Sequence, residues 1–325
     1  MSNFKLTLAT RSFTKENRLK SWYFTLSTLI FLISSLSIIL VSPHFIVQLF
    51  FSVLSGLLSL RMFVIYHDYL HEAILRNSKI AEILFTLFGF YILVPKTVWK
   101  SSHDFHHRNN SKLYSTHIGS FPVMSEEKFL NSSKAIQKNY LFSRHPFVIV
   151  LGYVFTFIIG MCFKPLKTAF SKHLDSFFAL IFHFGLQLII LLIFGLESWV
   201  LFSIVPNLLA GAMGTYLFYV QHNFPDVTLK SNQGWTYEGA ALESSSFIKM
   251  SSLMHWFTAN IGYHHVHHLN SRIPFYRLPE AMSTFKELQT PKTTSFRFRE
   301  IKKCLSLKLW DTKLEKLIPI SSNLI

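Results

Sequence analysis

Four apolar runs decide what this chain can fold into. Ser21 to Val41 carries no charge, and Phe45 to Tyr66 carries only Arg61 near its end. Phe177 to Leu196 and Ser198 to Val220 hold no Lys, Arg, Asp or Glu and are parted by Glu197 alone. A bilayer core is about 30 Å thick and a helix rises about 1.5 Å per residue, so roughly 20 apolar residues cross it. Each run is therefore a candidate span. The link Ser42-Pro43-His44 makes the first pair a tight hairpin, and Glu197 marks the turn of a second. Two shorter runs, Ile80–Val94 and Phe147–Phe163, are expected to lie at the interface or to dip into the membrane.

Charge placement supports four crossings. Residues 1–20 carry Lys5, Arg11, Lys15, Arg18 and Lys20 against Glu16, while the hairpin tips carry no Lys or Arg. All basic segments fall on one side if only the long runs cross, and the positive-inside rule makes that side cytoplasmic. Composition agrees: 15% of residues are charged, against roughly 25% in soluble domains. The same composition excludes disorder. The net charge of +15 then belongs to a cytoplasmic face and anionic headgroups, and no nucleic-acid partner is expected. Cys162 and Cys304 form no disulfide framework. The expected fold is an all-α integral membrane protein, a single domain over 1–325. It has four transmembrane helices in two hairpins, interfacial helices and a cytoplasmic histidine-rich cap. A basic tail from about Pro291 is expected to be solvated or to lie on the membrane surface. Arg61 is expected to snorkel, and Trp99, Trp235 and Trp256 to be interfacial aromatics.

A chain this apolar nevertheless keeps 16 His. Polar residues at that density in a membrane protein point to function. They cluster as His67 and His71 in HDYLH, as His103, His106 and His107 in HDFHH, and as His264, His265, His267 and His268 in HHVHH. His222 in YVQHNF stands alone beyond the fourth run. Positions three and four apart share a helix face. His67 with His71, His103 with His106 and His107, and His264 with His267 and His268 can thus each converge, while His265 is off-face. With His222 this makes nine nitrogen donors, more than one metal uses. Two metals with four or five imidazoles each would use all nine, and a non-haem two-iron centre fits oxygen activation best. Four crossings bring all nine donors to one side. Asp68 and Asp104 follow ligand histidines and are candidates to orient imidazoles, or else favour helix N-termini. His44, His117, His145, His173, His183 and His255 are not expected to be ligands.

The set HxxxH, HxxHH and HxxHH, here His67–His71, His103–His107 and His264–His268, resembles the membrane fatty acid desaturase family. NIGYHHVHHLNSRIPFYRLPEA is similar to the third-box region of acyl-lipid omega-6 desaturases. VPKTVWKSSHDFHH resembles their second-box region, and YVQHNF the segment supplying an extra ligand. The similarity covers roughly residues 25–285. It implies ligation of two iron ions by His67, His71, His103, His106, His107, His222, His264, His267 and His268. It also implies dioxygen as co-substrate and a cis double bond as product. The substrate would be a fatty acyl lipid, acyl-CoA or acyl carrier protein. Electrons would come from a separate donor such as ferredoxin or cytochrome b5, since HPF at His145 is not a haem-binding HPGG. The setting expected is a bacterial plasma membrane, with histidine boxes and both termini cytoplasmic. A fatty acid hydroxylase or a carotenoid ketolase or hydroxylase on the same scaffold is the alternative. A histidine-lined metal transporter would place ionisable groups mid-span, which these runs do not. An unactivated methylene demands a long apolar slot. Gly211, Ala212, Met213, Gly214 and Tyr216 are candidates to line it, or else pack helices. Arg277 is a candidate contact to a lipid phosphate or acyl-carrier group.

Overall fold

The computed structural model describes residues 5–113 and 118–320, and His117 lies outside them. The fold is mostly helical. Helix α1 (Arg18–Val41) starts where the Asn17 side chain accepts the Lys20 N–H at 3.0 Å, and it ends before Pro43. Helix α2 (Phe45–Leu70) packs along it. At their turn the Gln48 amide donates to the Ile39 and Ser42 carbonyls at 3.0 and 2.9 Å. Ile30, Phe31 and Ile33 on α1 stay exposed, as a lipid-facing surface requires.

Helix α3 (Lys79–Tyr91) is capped by Ser78 and meets helix α4 (Lys96–Asn109) at 90° across Pro95. It contacts the last turns of α2: Phe85 stacks on Tyr66 and Tyr69, and the Tyr66 hydroxyl donates to the Val94 carbonyl at 3.1 Å. The opposite face of α3 exposes Ile80, Ile83 and Leu87.

Tyr153–Phe163 forms wide π-helical turns, and ordinary helical turns carry on to Lys172, a stretch of 20 residues long and apolar enough to cross a membrane. Sequence had given only the shorter run ending at Phe163. Gly152 packs directly on Gly211 and Thr215, while Met161 accepts from Ser176 at 3.3 Å. Helices α5 (Leu174–Trp199) and α6 (Val205–Val220) form one 47-residue helical stretch. By rise alone that is about 70 Å, more than two bilayer cores. Its break is at Gly195 (φ 81°), two residues before the Glu197 boundary expected from charge. The Trp199 indole donates to the Gln187 side chain at 3.2 Å, so the chain folds back there. Helix α6 lies along α2, with Gly56 against Leu209 and Ser52 bonded to the Leu201 carbonyl at 2.5 Å.

Three expectations need correction. Arg61 does not snorkel: it is 2% exposed. Its Nε donates to Thr28 Oγ1 at 3.0 Å, its Nη1 to the Trp256 carbonyl, and its guanidinium covers the Trp256 ring at 4.1 Å. That position faces protein rather than lipid, and a carbonyl plus a ring face satisfy the cation. The fold is not purely α, and the tail joins it through strands, although Arg297, Arg299, Lys302 and Lys303 stay exposed. Strand β1 (Met124–Ser125) pairs in parallel with β4 (Leu307–Asp311), and β4 pairs antiparallel with β5 (Lys316–Pro319). Strand β2 (Phe247–Lys249) runs parallel to β3 (Thr293–Ser295). Leu307 and Leu309 are buried on either side of Lys308, which is the period of a strand. Arg277 is already engaged, with Glu280 and with the Ser12 and Lys15 carbonyls.

Candidate metal centre

Three helix ends and one turn carry the donors. His67 and His71 close α2, and His103, His106 and His107 occupy one face of α4. His222 follows the last turn of α6. His264, His267 and His268 share a face of the short helix α7 (His264–Leu269).

All nine come together, and they do so as two groups. His67, His71, His103, His107 and His267 form one; His106, His222, His264 and His268 form the other. Within each group the ligand nitrogens lie within 4.8 Å of one another. Nε2–Nε2 separations are 2.8 Å for His67–His103, 3.1 Å for His103–His107 and 3.2 Å for His107–His267. In the second group they are 3.0 Å for His106–His222 and 2.9 Å for His222–His264. Nitrogens about 2.1 Å from a shared cation stand roughly 3.0 to 3.4 Å apart at octahedral or tetrahedral angles. The donor sets therefore fit metal ions.

Hydrogen bonding gives the same answer. Neutral imidazole has one N–H and one acceptor, so inward Nε2 atoms crowded in fives and fours cannot satisfy one another. The Nδ1 atoms of His107, His264, His267 and His268 are buried without a partner. Burial, reinforced by the neighbouring imidazoles, holds His71, His103, His106, His107, His264, His267 and His268 well below the usual histidine pKa. Burial brings His222 down to about 4. Neutral imidazoles with free lone pairs are what a divalent cation needs.

The surroundings orient several rings. His222 Nδ1 faces the Ser244 carbonyl at 2.9 Å. Asp68 Oδ1 lies 3.3 Å from His67 Nδ1, and its Oδ2 accepts the Phe275 N–H at 2.6 Å. Asp68 thus ties α2 to the segment after α7. Asp104 instead pairs with Lys100 at 3.5 Å on the surface. Asp68 sits in the last turn of α2 and Asp104 midway along α4, so neither serves the N-terminus of its own helix. His265 points away, with Nε2 at 3.1 Å from the Leu288 carbonyl. His183 is bound by Tyr153, Gln187 and the Tyr91 carbonyl.

Sequence reasoning missed Trp99. Expected at the interface, it is 3% exposed and stacks on His103 with ring centroids 4.7 Å apart. Its place on α4, one turn before His103, was the available signal. Trp235 donates to the Asn110 carbonyl at 2.8 Å, and Trp256 backs Arg61. Beside the first group, Leu60, Phe63, Val64, Leu217 and Phe218 enclose an apolar void that reaches His67, His103 and His264. On the other side, His106 and His222 border a cavity of mixed lining, with Asn109, Ser111, Arg144 and Asn223 beside Phe121, Val123 and Leu229.

Known proteins resemble this chain. A family model described as fatty acid desaturase matches residues 43–299. A fatty acid desaturase of Bacillus subtilis (strain 168) is 32% identical over 252 residues, 77% of this chain and 71% of that protein. The chloroplastic omega-6 fatty acid desaturase of Spinacia oleracea is 25% identical over 228 residues, and the chain spans about half its length (50%). The sn-1 acyl-lipid omega-3 desaturase (ferredoxin) of Nostoc sp. (strain 36) is 25% identical over 248 residues, 73% of this chain and 66% of that protein. With a model match over most of the chain and this relative in Bacillus, the chain belongs to the fatty acid desaturase family.

Proposed function

We propose that this chain introduces a cis double bond into a fatty acyl chain, with nine histidines holding two iron ions. The observation that carries the reading is the joining of two imidazole groups to one apolar void. The five-histidine set would hold one ion and the four-histidine set the other. Two irons bound there would supply the oxygen chemistry: dioxygen, two electrons and two protons, with two hydrogens from adjacent methylenes, give an alkene and two waters.

The protein's part is to hold and exclude. Leu60, Phe63, Val64, Leu217 and Phe218 grip an acyl chain without polar contact and keep water from it. Trp99 and Asp68 fix His103 and His67 so that the donor set is formed before substrate arrives. Gln221 also borders the void, and its amide is engaged by the Ile261 carbonyl at 3.0 Å, which leaves the wall largely apolar.

The whole chain acts as one membrane-embedded unit. Helices α1 with α2, and α5 with α6, cross as two hairpins, while α3 and the 147–163 run stay on the side of the histidine cap. That side is cytoplasmic, and the host membrane is a bacterial plasma membrane. Contacts of α3 with Tyr66 and Tyr69, beside His67, support this placement. The substrate is a lipid-borne acyl chain. Electrons come from a separate redox protein, and a ferredoxin-type donor is supported by the Nostoc relative, which is named for ferredoxin. The surface cleft lined by Leu70, Glu72, Lys96 and Lys100, which flanks the part-buried His71, is where it would approach. Expression in a host without polyunsaturated lipids, followed by mass spectrometry of its acyl chains, tests the reading. A new double bond is expected; hydroxylated chains or an unchanged profile would overturn it.

A further inference from the structure

Two glycines on one face of α6 behave differently. A Cβ built on Gly211 would lie 2.6 Å from the Tyr153 backbone nitrogen, so Gly211 is required by close packing. A Cβ on Gly214 would meet nothing nearer than Phe157 Cζ at 3.7 Å and Leu60 Cδ1 at 3.9 Å. Packing therefore does not require glycine at 214.

What the missing side chain leaves is room for a methyl group, within ordinary contact distance of Phe157 and Leu60, in a specific place. Gly214 is on the wall of the void that reaches His67, His103 and His264. A second void lies deeper, bordered by Ser59, Tyr153, Phe157 and Asn207. Leu60 and Phe63 belong to both walls. The two side chains nearest Gly214, Leu60 and Phe157, both border the deeper void.

We propose that Gly214 determines substrate specificity by keeping open the passage between the two voids. The passage lets the tail of an acyl chain run past the metal-proximal void into the deeper one. Gly214 thereby sets how many carbons can lie beyond the reacting methylene pair. This rests on the desaturase reading. The slot leads from the histidines into the helix bundle, so the methyl end enters and the polar end stays at the cap. Leu60 is seven residues from His67 on α2. That is about 10 Å by helix rise, the length of roughly eight methylenes in an extended chain. A bulky residue at 214 would close the slot at that depth.

The test supplies dodecanoyl, tetradecanoyl, hexadecanoyl and octadecanoyl chains to cells making the wild type, Gly214→Ala or Gly214→Phe. Product chain length and bond position are read by mass spectrometry, and metal content is read on the purified proteins. Gly214→Phe is expected to shift products towards shorter chains, or bonds towards the methyl end, by about tenfold or more in product ratio, as a pocket of changed length discriminates. Gly214→Ala is expected to shift them the same way by less, with metal content unchanged in both. Should Gly214→Phe fail to accumulate, Gly214→Ala and Gly214→Val carry the test. Unchanged chain-length and position profiles in active variants would overturn the proposal. So would equal loss on all chain lengths with metal retained. Absence of any double bond from the wild type would instead overturn the desaturase reading.

Discussion

The two histidine groups use one side chain on neighbouring turns, yet they face different surroundings. The five-histidine group presents His67 and His103 to an apolar void, with Trp99 stacked behind His103. The four-histidine group presents His106 and His222 to a partly polar cavity bordered by the fully buried Arg144. His264 bridges the two environments, since it belongs to the second group and also borders the apolar void. One centre thus has an apolar side beside Leu60, Phe63 and Phe218 and a partly polar side beside Arg144 and Asn223. Identical ligands meet different surroundings.

The largest effects should come from removing one donor from each group. His267→Ala and His106→Ala are each expected to abolish turnover while the protein still inserts. Metal content should fall from about two per chain towards about one, because each set loses a donor of its own. If either variant released both ions in equal measure, the division into two sets would fail. Asp68→Asn should act next. It weakens the support of His67, so metal affinity at the five-histidine set should drop about 10- to 100-fold while the other set keeps its ion. Chelator titration of the two ions measures this, and equal weakening of both would erase the distinction. The smallest effects belong to histidines outside both sets. His265→Ala and His183→Ala should each cost about 1 to 3 kcal/mol of stability through lost buried hydrogen bonds. Thermal unfolding reads that cost, and metal content should not change.

His183 also shows what sequence can and cannot reveal. It is 2% exposed and so as buried as the ligands, but Tyr153, Gln187 and the Tyr91 carbonyl satisfy it. Burial does not make a ligand; unsatisfied nitrogens sharing a centre do. The convergence of the boxes was legible because three- and four-residue spacing fixes a helix face. His265 was separable from His264 and His267 by the same rule. Which histidine belongs to which set was not legible, because that depends on how α2, α4 and α7 cross. Trp99 escaped because an aromatic near a span end reads as interfacial until its neighbours are known. The strands of the tail escaped because Leu305, Leu307 and Leu309 sit among lysines, and a partner such as β1 lies far away in sequence. Arg61 was misjudged for a related reason: its partners Thr28 and Trp256 come from distant segments. The Gly195 turn was displaced because a charge is a weaker signal of reversal than a residue able to adopt positive φ.

The central claim is that two separate imidazole sets hold two metal ions. Metal-to-chain stoichiometry of the full-length protein, purified under metal-preserving conditions and measured by mass spectrometry, tests it most directly. Close to two irons per chain, without haem, is the expected result. A single metal ion per chain, or zinc in place of iron, would contradict it.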